Sequence, residues 1–359
     1  MTGFHLLLGP SIETWRRRFT LRIESTLQTC NPAISLTVIV LNYRTSRLTC
    51  ECLQSLAEGI QAIPNSRVIV VDNASNDGSA VEIAAEITAR KWERWATLLP
   101  LNVNVGFAAG NNRAFDQVRA LTKYVLLLNS DTFVRLGCLE RCFSIMESDP
   151  KIGLLSCMVL NADESTQNVA RRFPTPLNQF AAALGLPFRW PRLFGWANVE
   201  DPLWDRLTTK RDVDWIGGAF MFARAEMLRQ IGLFDDDFFF YGEDVELCHR
   251  AWKHGWRVHF DPAGSIVHYG GASSDPLRLP ESQRSGHRWH ARYLVQRKCY
   301  GWLAEWMLRL TDISYYSVRL AILRLRGARQ QERYRQVFKT LSLLLGILSR
   351  DQLEMSKRT

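Results

Sequence analysis

The sequence predicts an α/β protein built on a mostly parallel sheet with flanking helices, and three observations carry that expectation. Apolar, β-branched runs alternate with helical stretches along the chain from Ser35 onward. The runs are short and continuous, as in strands covered on both faces. Polar residues gather directly after them, where ligands sit in open parallel sheets. At 359 residues and 47% hydrophobic, the chain can bury a full core. A charged fraction of 23% and an aromatic fraction of 11% exclude a disordered chain.

The first strand is expected over Leu36–Leu41, followed by a helix over 48–62 with Leu53 and Leu56 on one side. Val68–Val71 forms the second strand, and the turn-rich run from Asp72 to Ser79 supplies an N-cap for a helix over 80–90. A short strand at 97–100, a helix over 108–120 and a strand over 124–128 follow. The chain then reaches Asn129-Ser-Asp131, a helix over 137–148 and a strand over 152–159. Residues 173–211 are rich in Pro, Trp and Phe without clear periodicity, which suits a covering loop or a small helical insert. Order returns with Trp215–Phe222, a helix from Arg224 and a helix over 245–254. Repeated β-α-β units imply right-handed crossovers. The polar strand ends at Asn42-Tyr43, Asp72-Asn73, Asn104 and Asn129–Asp131 therefore mark a ligand edge.

The 8 cysteines make no disulfide framework, and no C-x-x-C pair suggests structural zinc. They are expected to be reduced packing thiols of a cytoplasmic protein. The N-terminal Leu6-Leu7-Leu8 precedes Arg16-Arg17-Arg18, the reverse of a secretory signal. No apolar run reaches the roughly 18 residues of a spanning helix. The net charge of +9 is uneven, because residues 288–359 hold 15 Lys and Arg against 5 Asp and Glu. Trp302, Trp306, Leu308, Leu310, Leu320, Leu323 and Leu325 are interleaved with those arginines. Two readings stand side by side: a helix lying on an anionic membrane surface, and a helical cap with a solvated basic face. No nucleic-acid-binding module accompanies the charge, so nucleic acid is not an expected partner.

Four features carry chemistry. Glu243 and Asp244 open a helix directly after the aromatic run Phe238-Phe-Phe-Tyr241. A helix N-terminus favours negative charge while apolar neighbours raise a carboxyl pKa, so one acid of such a pair can be a general base. Simple capping of a surface helix is the alternative. Asp131, at a strand end, suits a hard divalent cation that bridges phosphates. His268, followed by Tyr-Gly-Gly, could complete a metal shell while backbone approaches a diphosphate. Asp72 could accept a hydrogen bond from a base or ribose, or simply close an Asx turn.

The motifs occur in a telling order: Asn42-Tyr43, Val-Val-Asp72-Asn-Ala-Ser-x-Asp-Gly-Ser79, Asn104-x-Gly-Phe-Ala-Ala-Gly-Asn-Asn112, Leu-Leu-Asn129-Ser-Asp-Thr132, Gly217-Gly218, Phe-x-Tyr-x-Glu-Asp244 and His268-x-x-Gly-x-Ser273. Over residues 35–275 this resembles glycosyltransferase family 2, and within it the bacterial rhamnosyltransferase-like branch. The resemblance implies a GT-A fold and inversion at the anomeric carbon. It implies Asp72 at the nucleotide base with Asn42 and Tyr43 lining that pocket, and Asn104 and Gly106 near the ribose or sugar. Asp131 would be the metal-binding member of an Asp-x-Asp motif, with His268 a further ligand to Mg²⁺ or Mn²⁺. Asn129 stands at the first position of that motif; an amide is the weaker ligand, which leaves the metal mainly to Asp131, His268 and the diphosphate. Asp244 would be the catalytic base with Glu243 beside it. Trp215, Gly217 and Gly218 match the loop that meets donor sugar and acceptor.

The expected organisation is an N-terminal extension (1–34), a glycosyltransferase domain (35–275) and a basic amphipathic helical region (276–359). The expected reaction moves a sugar, rhamnose from dTDP-rhamnose foremost, from a nucleotide-diphosphate donor to a hydroxyl of a glycan or polyprenyl-diphosphate-linked acceptor. A sugar-nucleotide nucleotidyltransferase or a dehydrogenase would show a Gly-rich phosphate loop after the first strand, and neither G-x-x-x-x-G-K nor G-x-G-x-x-G stands there. A non-catalytic nucleotide-sugar-binding protein would have lost the acid at position 244 or 131, and both are present.

Overall fold

The computed structural model describes residues 34–199, 209–270, 281–327 and 331–358. The N-terminal extension and the Gly271–Ser273 half of the histidine motif lie outside them. The first half of the chain runs β1 (Ile34–Asn42), α1 (Ser46–Ala62), β2 (Ser66–Asp72), α2 (Ser79–Ala89), β3 (Ala96–Pro100), α3 (Gly106–Val118) and β4 (Thr122–Asn129). Next come β5 (Thr132–Val134), α4 (Cys138–Ser148) and β6 (Ile152–Leu160). The sheet has 9 strands, ordered β3-β2-β1-β4-β10-β6-β11-β5 with β8 (Arg211–Asp212) on β11. Strands β1 to β4 pair in parallel, as do β6 and β11 (Arg257–His268). Antiparallel β10 (Phe220–Arg224) lies between the two parallel groups.

Burial explains these elements. Val38, Ile39, Val40 and Val68–Val71 are fully enclosed, so the continuous apolar runs are the central strands. Helix α3 sits so close to β1 that a Cβ on Gly110 would come within 2.4 Å of the Leu41 side chain. The run Trp215–Phe222 divides where the sequence pattern showed one segment. Its Trp215–Ile216 half (β9) pairs with β7 (Ala170–Arg171) in a separate two-stranded ribbon, while Phe220–Arg224 enters the main sheet. Gly217 and Gly218 are the joint between them.

Residues 173–199 are a helical insert: α5 (Pro176–Ala183), the short turns α6 (Leu186–Arg189) and α7 (Pro191–Phe194), and a 3₁₀ turn at Gly195–Ala197. Thr175 caps α5 by accepting from the Asn178 backbone amide at 3.3 Å, with Pro176 at the first helical position. After α8 (Ala225–Ile231), α9 (Glu243–Lys253) and β11, three long helices close the chain: α10 (Glu281–Tyr300), α11 (Trp302–Leu325) and α12 (Glu332–Arg358).

A buried polar network pins α10 and α11 together. Asp312 accepts from Arg292 at 2.5 Å and from the Tyr293 hydroxyl at 3.2 Å. Glu305 takes both Nε and Nη2 of Arg309, at 3.1 and 2.7 Å, and that guanidinium lies 4.4 Å from the Tyr293 ring centre. Arg292 reaches Gln179 of the insert at 3.0 Å, and Lys298 pairs with Asp235 and Asp237 in the loop before the acid pair. Helix α10 is therefore bolted to the loop that leads into Glu243 and Asp244.

Candidate active site

The ligand edge of the sheet begins with a knot of hydrogen bonds between the ends of β1 and β2. Register places Asn42 opposite Asp72. Asn42 Nδ2 donates to Asp72 Oδ1 at 2.7 Å, and the Ser75 hydroxyl donates to the same oxygen at 2.6 Å. The Ser75 amide takes Asp72 Oδ2 at 3.2 Å, closing the turn that the sequence offered as the alternative. The Asn42 side-chain oxygen accepts from Thr45 and Thr49, and the Thr45 hydroxyl lies 3.1 Å from that of Ser130. One hydrogen-bonded path thus runs from Asp72 to the neighbour of Asp131. Tyr43 is half-buried beside it, with the Arg44 guanidinium 5.1 Å from its ring centre.

A second path runs from the same edge to the acid pair. Asn73 donates to Asn104 Oδ1 at 2.9 Å and to the Gly106 carbonyl at 3.1 Å. Gly106 has φ +86°, and a Cβ there would fall 2.5 Å from the Phe239 carbonyl oxygen, so only glycine permits this approach. The Phe107 amide donates to that oxygen at 2.8 Å. Asn112 fixes the loop further back by bonding the Phe234 amide and carbonyl. The loop then turns through Tyr241 (φ 74°) and Gly242 (φ 91°) into α9. A β-carbon on Gly242 would meet Val295 of α10 at 2.9 Å.

Glu243 and Asp244 open α9 in different surroundings. Glu243 is enclosed, and its Oε2 has no hydrogen-bond partner among the described residues. Burial and the charge of Asp244 push its pKa up to about 8. Asp244 is half-exposed and oriented: its Oδ2 accepts from the Gly218 amide at 3.1 Å and its Oδ1 from the Val245 amide at 2.9 Å. Burial raises its proton affinity as well, opposed by those amides and by the positive charge of Arg171. Both carboxyls of the pair therefore hold a proton more tightly than an ordinary acid, and of the two Asp244 is the one oriented by backbone amides.

Trp215, Gly217 and Gly218 frame this carboxylate. The Trp215 indole donates to the Arg172 carbonyl at 2.8 Å, and the Arg171 guanidinium lies 5.3 Å from the Trp215 ring centre. The Gly217 amide donates to Val169 at 2.8 Å, and the carbonyl of Ala219 accepts from the Asn129 amide at 3.1 Å. Gly218 and Ala219 therefore hold Asp244 on one side and Asn129 on the other.

Asp131 and His268 meet because β5 pairs antiparallel with the end of β11, Thr132 opposite His268. His268 Nε2 lies 3.3 Å from Asp131 Oδ1 and 3.3 Å from Asn129 Nδ2. Two ligands bonded at about 2.1 Å and at right angles to one ion stand about 3 Å apart. The spacing of the carboxylate and imidazole thus fits a shared divalent cation. Gln167 holds the histidine in place: its Oε1 is 2.9 Å from Nδ1, and its Nε2 donates to the His268 carbonyl at 2.7 Å. With Nδ1–H donating to Gln167, the Nε2 lone pair faces Asp131. Among the described residues there is no cluster of three or more His, Cys, Asp or Glu that could hold a metal ion.

Sequence reading missed Gln167 and Arg171. Gln167 lies in an irregular return after β6, 101 residues from its histidine, with no periodic or motif signal. Arg171 sits on a two-residue strand that no pattern announces. The 7 cysteines among the described residues are free thiols, most of them buried.

Relatives agree with this architecture. An N-acetylglucosaminyl-diphospho-decaprenol L-rhamnosyltransferase of Mycobacterium tuberculosis (strain CDC 1551 / Oshkosh) is 26% identical over 255 residues, 67% of this chain and 79% of that protein. Rhamnosyltransferase WbbL of Escherichia coli (strain K12) is 27% identical over 203 residues, 54% of this chain and 71% of its own. The fold matches a solved mannosyltransferase, PcManGT from Pyrobaculum calidifontis in complex with GDP-Man and Mn²⁺, with a TM-score of 0.51 at 19% identity, covering 95% of each chain. Residues 32–290 match the family described as glycosyltransferase like family 2. With that match and the GT-A architecture together, the chain belongs to glycosyltransferase family 2, as a rhamnosyltransferase-like enzyme that transfers a glycosyl group.

Proposed function

We propose that the enzyme transfers a sugar, rhamnose from dTDP-rhamnose foremost, with inversion, to a hydroxyl of a polyprenyl-diphosphate-linked glycan. The donor assignment draws on the rhamnosyltransferase relatives, and the acceptor on the decaprenol-linked substrate named for one of them. The observation that carries the mechanism is Asp244: a half-exposed carboxylate aimed by two backbone amides and seated beside a buried acid that keeps its proton.

In this reading Asp244 accepts the proton of the acceptor hydroxyl as that oxygen bonds to the anomeric carbon. The bond from that carbon to the diphosphate breaks on the opposite face, and its electron pair leaves with the nucleotide. Asp72 contacts the base in a pocket lined by the backbone around Asn42 and Tyr43, Asn104 and Gly106 border the ribose or sugar, and Trp215 with Gly217 and Gly218 shapes the meeting point of donor and acceptor. Asp131 and His268, with Asn129 alongside, would hold Mg²⁺ or Mn²⁺. Such an ion, when bound, neutralises charge on the departing diphosphate.

The test is release of nucleoside diphosphate from a panel of dTDP- and UDP-sugars in the presence of a lipid-linked acceptor. We expect one donor to stand out. Asp244→Asn should cut turnover by about 10² to 10⁴ while donor binding persists. A variant turning over at the parent rate would remove Asp244 from the role of base.

A further inference from the structure

The outermost layer of the molecule shows apolar side chains where a solvated surface would show polar ones. In the insert, Phe188 is 81% exposed and Leu193 is 71% exposed, and Leu177, Phe180, Leu184, Trp190 and Trp196 are open as well. On α11 the exposed side chains include Trp302, Leu303, Met307, Leu310, Val318 and Leu325, the last at 88%. The two groups are far apart in sequence but adjacent in space, because α5 packs against α11. Exposed apolar side chains gathered on two elements that pack together mark a place where something binds.

Charge identifies what binds. Residues 176–199 contain Arg189 and Arg192 and no Asp or Glu, and both arginines are exposed. Helix α11 does carry two acids, Glu305 and Asp312, but both are turned inward and matched to Arg309 and Arg292. The charges it presents to solvent, Arg319 and Arg324, are all positive. The fold thus hides the acids and shows aromatic and aliphatic side chains studded with arginine, which is the chemistry of an anionic lipid surface. No helix of the described residues is long and apolar enough to cross a membrane, so the contact is with the interface.

We propose that residues 176–197 and the outward face of α11 form one surface that lies on an anionic bilayer. The insert springs from Arg171–Thr175, whose first residue lies against Trp215 with its positive charge acting on Asp244, and Phe173 packs edge-on to His249 of the acid-pair helix at 5.3 Å. Docking there would set the acid pair close to the headgroup level, where the sugar of a lipid-linked acceptor stands. In that respect the inference rests on the acceptor reading given above.

The experiment is co-sedimentation of the full chain with phosphatidylcholine vesicles, with and without phosphatidylglycerol, in the absence of any donor. Binding is expected with phosphatidylglycerol and should weaken with added salt. Phe188→Ser combined with Leu193→Ser should reduce it at least about tenfold. Leu136→Ser, an equally exposed position between β5 and α4, should leave it unchanged. Arg189→Glu combined with Arg192→Glu should erase the preference for phosphatidylglycerol. Circular dichroism and nucleotide release with a soluble acceptor should match the parent in every variant. Parent protein that ignores anionic vesicles, or a Phe188/Leu193 variant that binds as the parent does, would overturn the proposal. So would a self-association in solution that the same variant abolishes, since the face would then meet a second copy. Because vesicle binding is read without donor, its failure would leave the transfer reaction standing, and failed transfer would leave the surface standing.

Discussion

The ligand edge of the sheet and the outer helical layer are built on opposite plans. At the edge, polar groups are tied to one another: Asp72, Asn42, Thr45 and Ser130 make one chain, and Asn73, Asn104 and Gly106 another, beside the bond from the Phe107 amide to the Phe239 carbonyl. In the outer layer, apolar groups are exposed and the charges needed to hold the helices are inside, as Glu305–Arg309 and Asp312–Arg292. The first plan fixes side chains to fractions of an ångström, as chemistry requires. The second fixes whole helices and leaves their outer surface free to meet something else. A substitution in one region should therefore leave the other's function intact, and that separation can be tested.

The largest expected effect lies at the acid pair. Glu243 has its pKa raised from 4.5 to about 8 in the folded chain. A raised pKa means this group's contribution to stability is full below the unfolded value and is lost as pH rises through the folded one. At about 1.4 kcal/mol per pKa unit, the loss across that window is on the order of 4 kcal/mol. Glu243→Gln should flatten urea-unfolding stability between pH 5 and 8, and at pH 8 the variant should be the more stable protein. An unchanged pH slope would mean that Glu243 is not the group holding the proton.

Next in size is the helical layer. Glu305→Ala removes the carboxylate oxygen that accepts from two nitrogens of Arg309, which is 4% exposed, and should cost about 3 kcal/mol in chemical denaturation. Turnover of the surviving folded enzyme on a soluble acceptor should hold. A large fall in that turnover would show that the two regions are not separable.

The smallest effect sharpens the metal side of the comparison. Gln167→Leu keeps the volume near His268 but removes the acceptor at Nδ1 and the donor to its carbonyl. Mn²⁺ affinity, measured by calorimetry in the presence of nucleoside diphosphate, should weaken by about 10- to 100-fold. Stability and vesicle binding should not move. Unaltered affinity would confine Gln167 to a packing role.

These two plans also explain what the sequence could disclose. Central strands were legible because burial on both faces leaves a continuous apolar run, as in Val68–Val71. The polar edge of the sheet was legible because Asn42, Asp72, Asn104 and Asn129–Asp131 directly follow such runs or lie close behind them. Gln167 and Arg171 were not, since each acts across long separations from a segment without period. The insert was ambiguous for a physical reason: α6 and α7 are single turns, too short to show a 3.6-residue pattern. The basic tail left two readings open because composition does not tell which charges face outward. Only the inward turn of Glu305 and Asp312 makes the exposed face of α11 uniformly positive.

Anomalous diffraction from crystals soaked with Mn²⁺ and a nucleoside diphosphate tests the account most directly. The account predicts a peak between the Asp131 carboxylate and His268 Nε2, with the diphosphate bound to the same ion and Asp244 facing its free side. A peak coordinated elsewhere, or a nucleotide bound away from the Asn42–Asp72 edge, would contradict it.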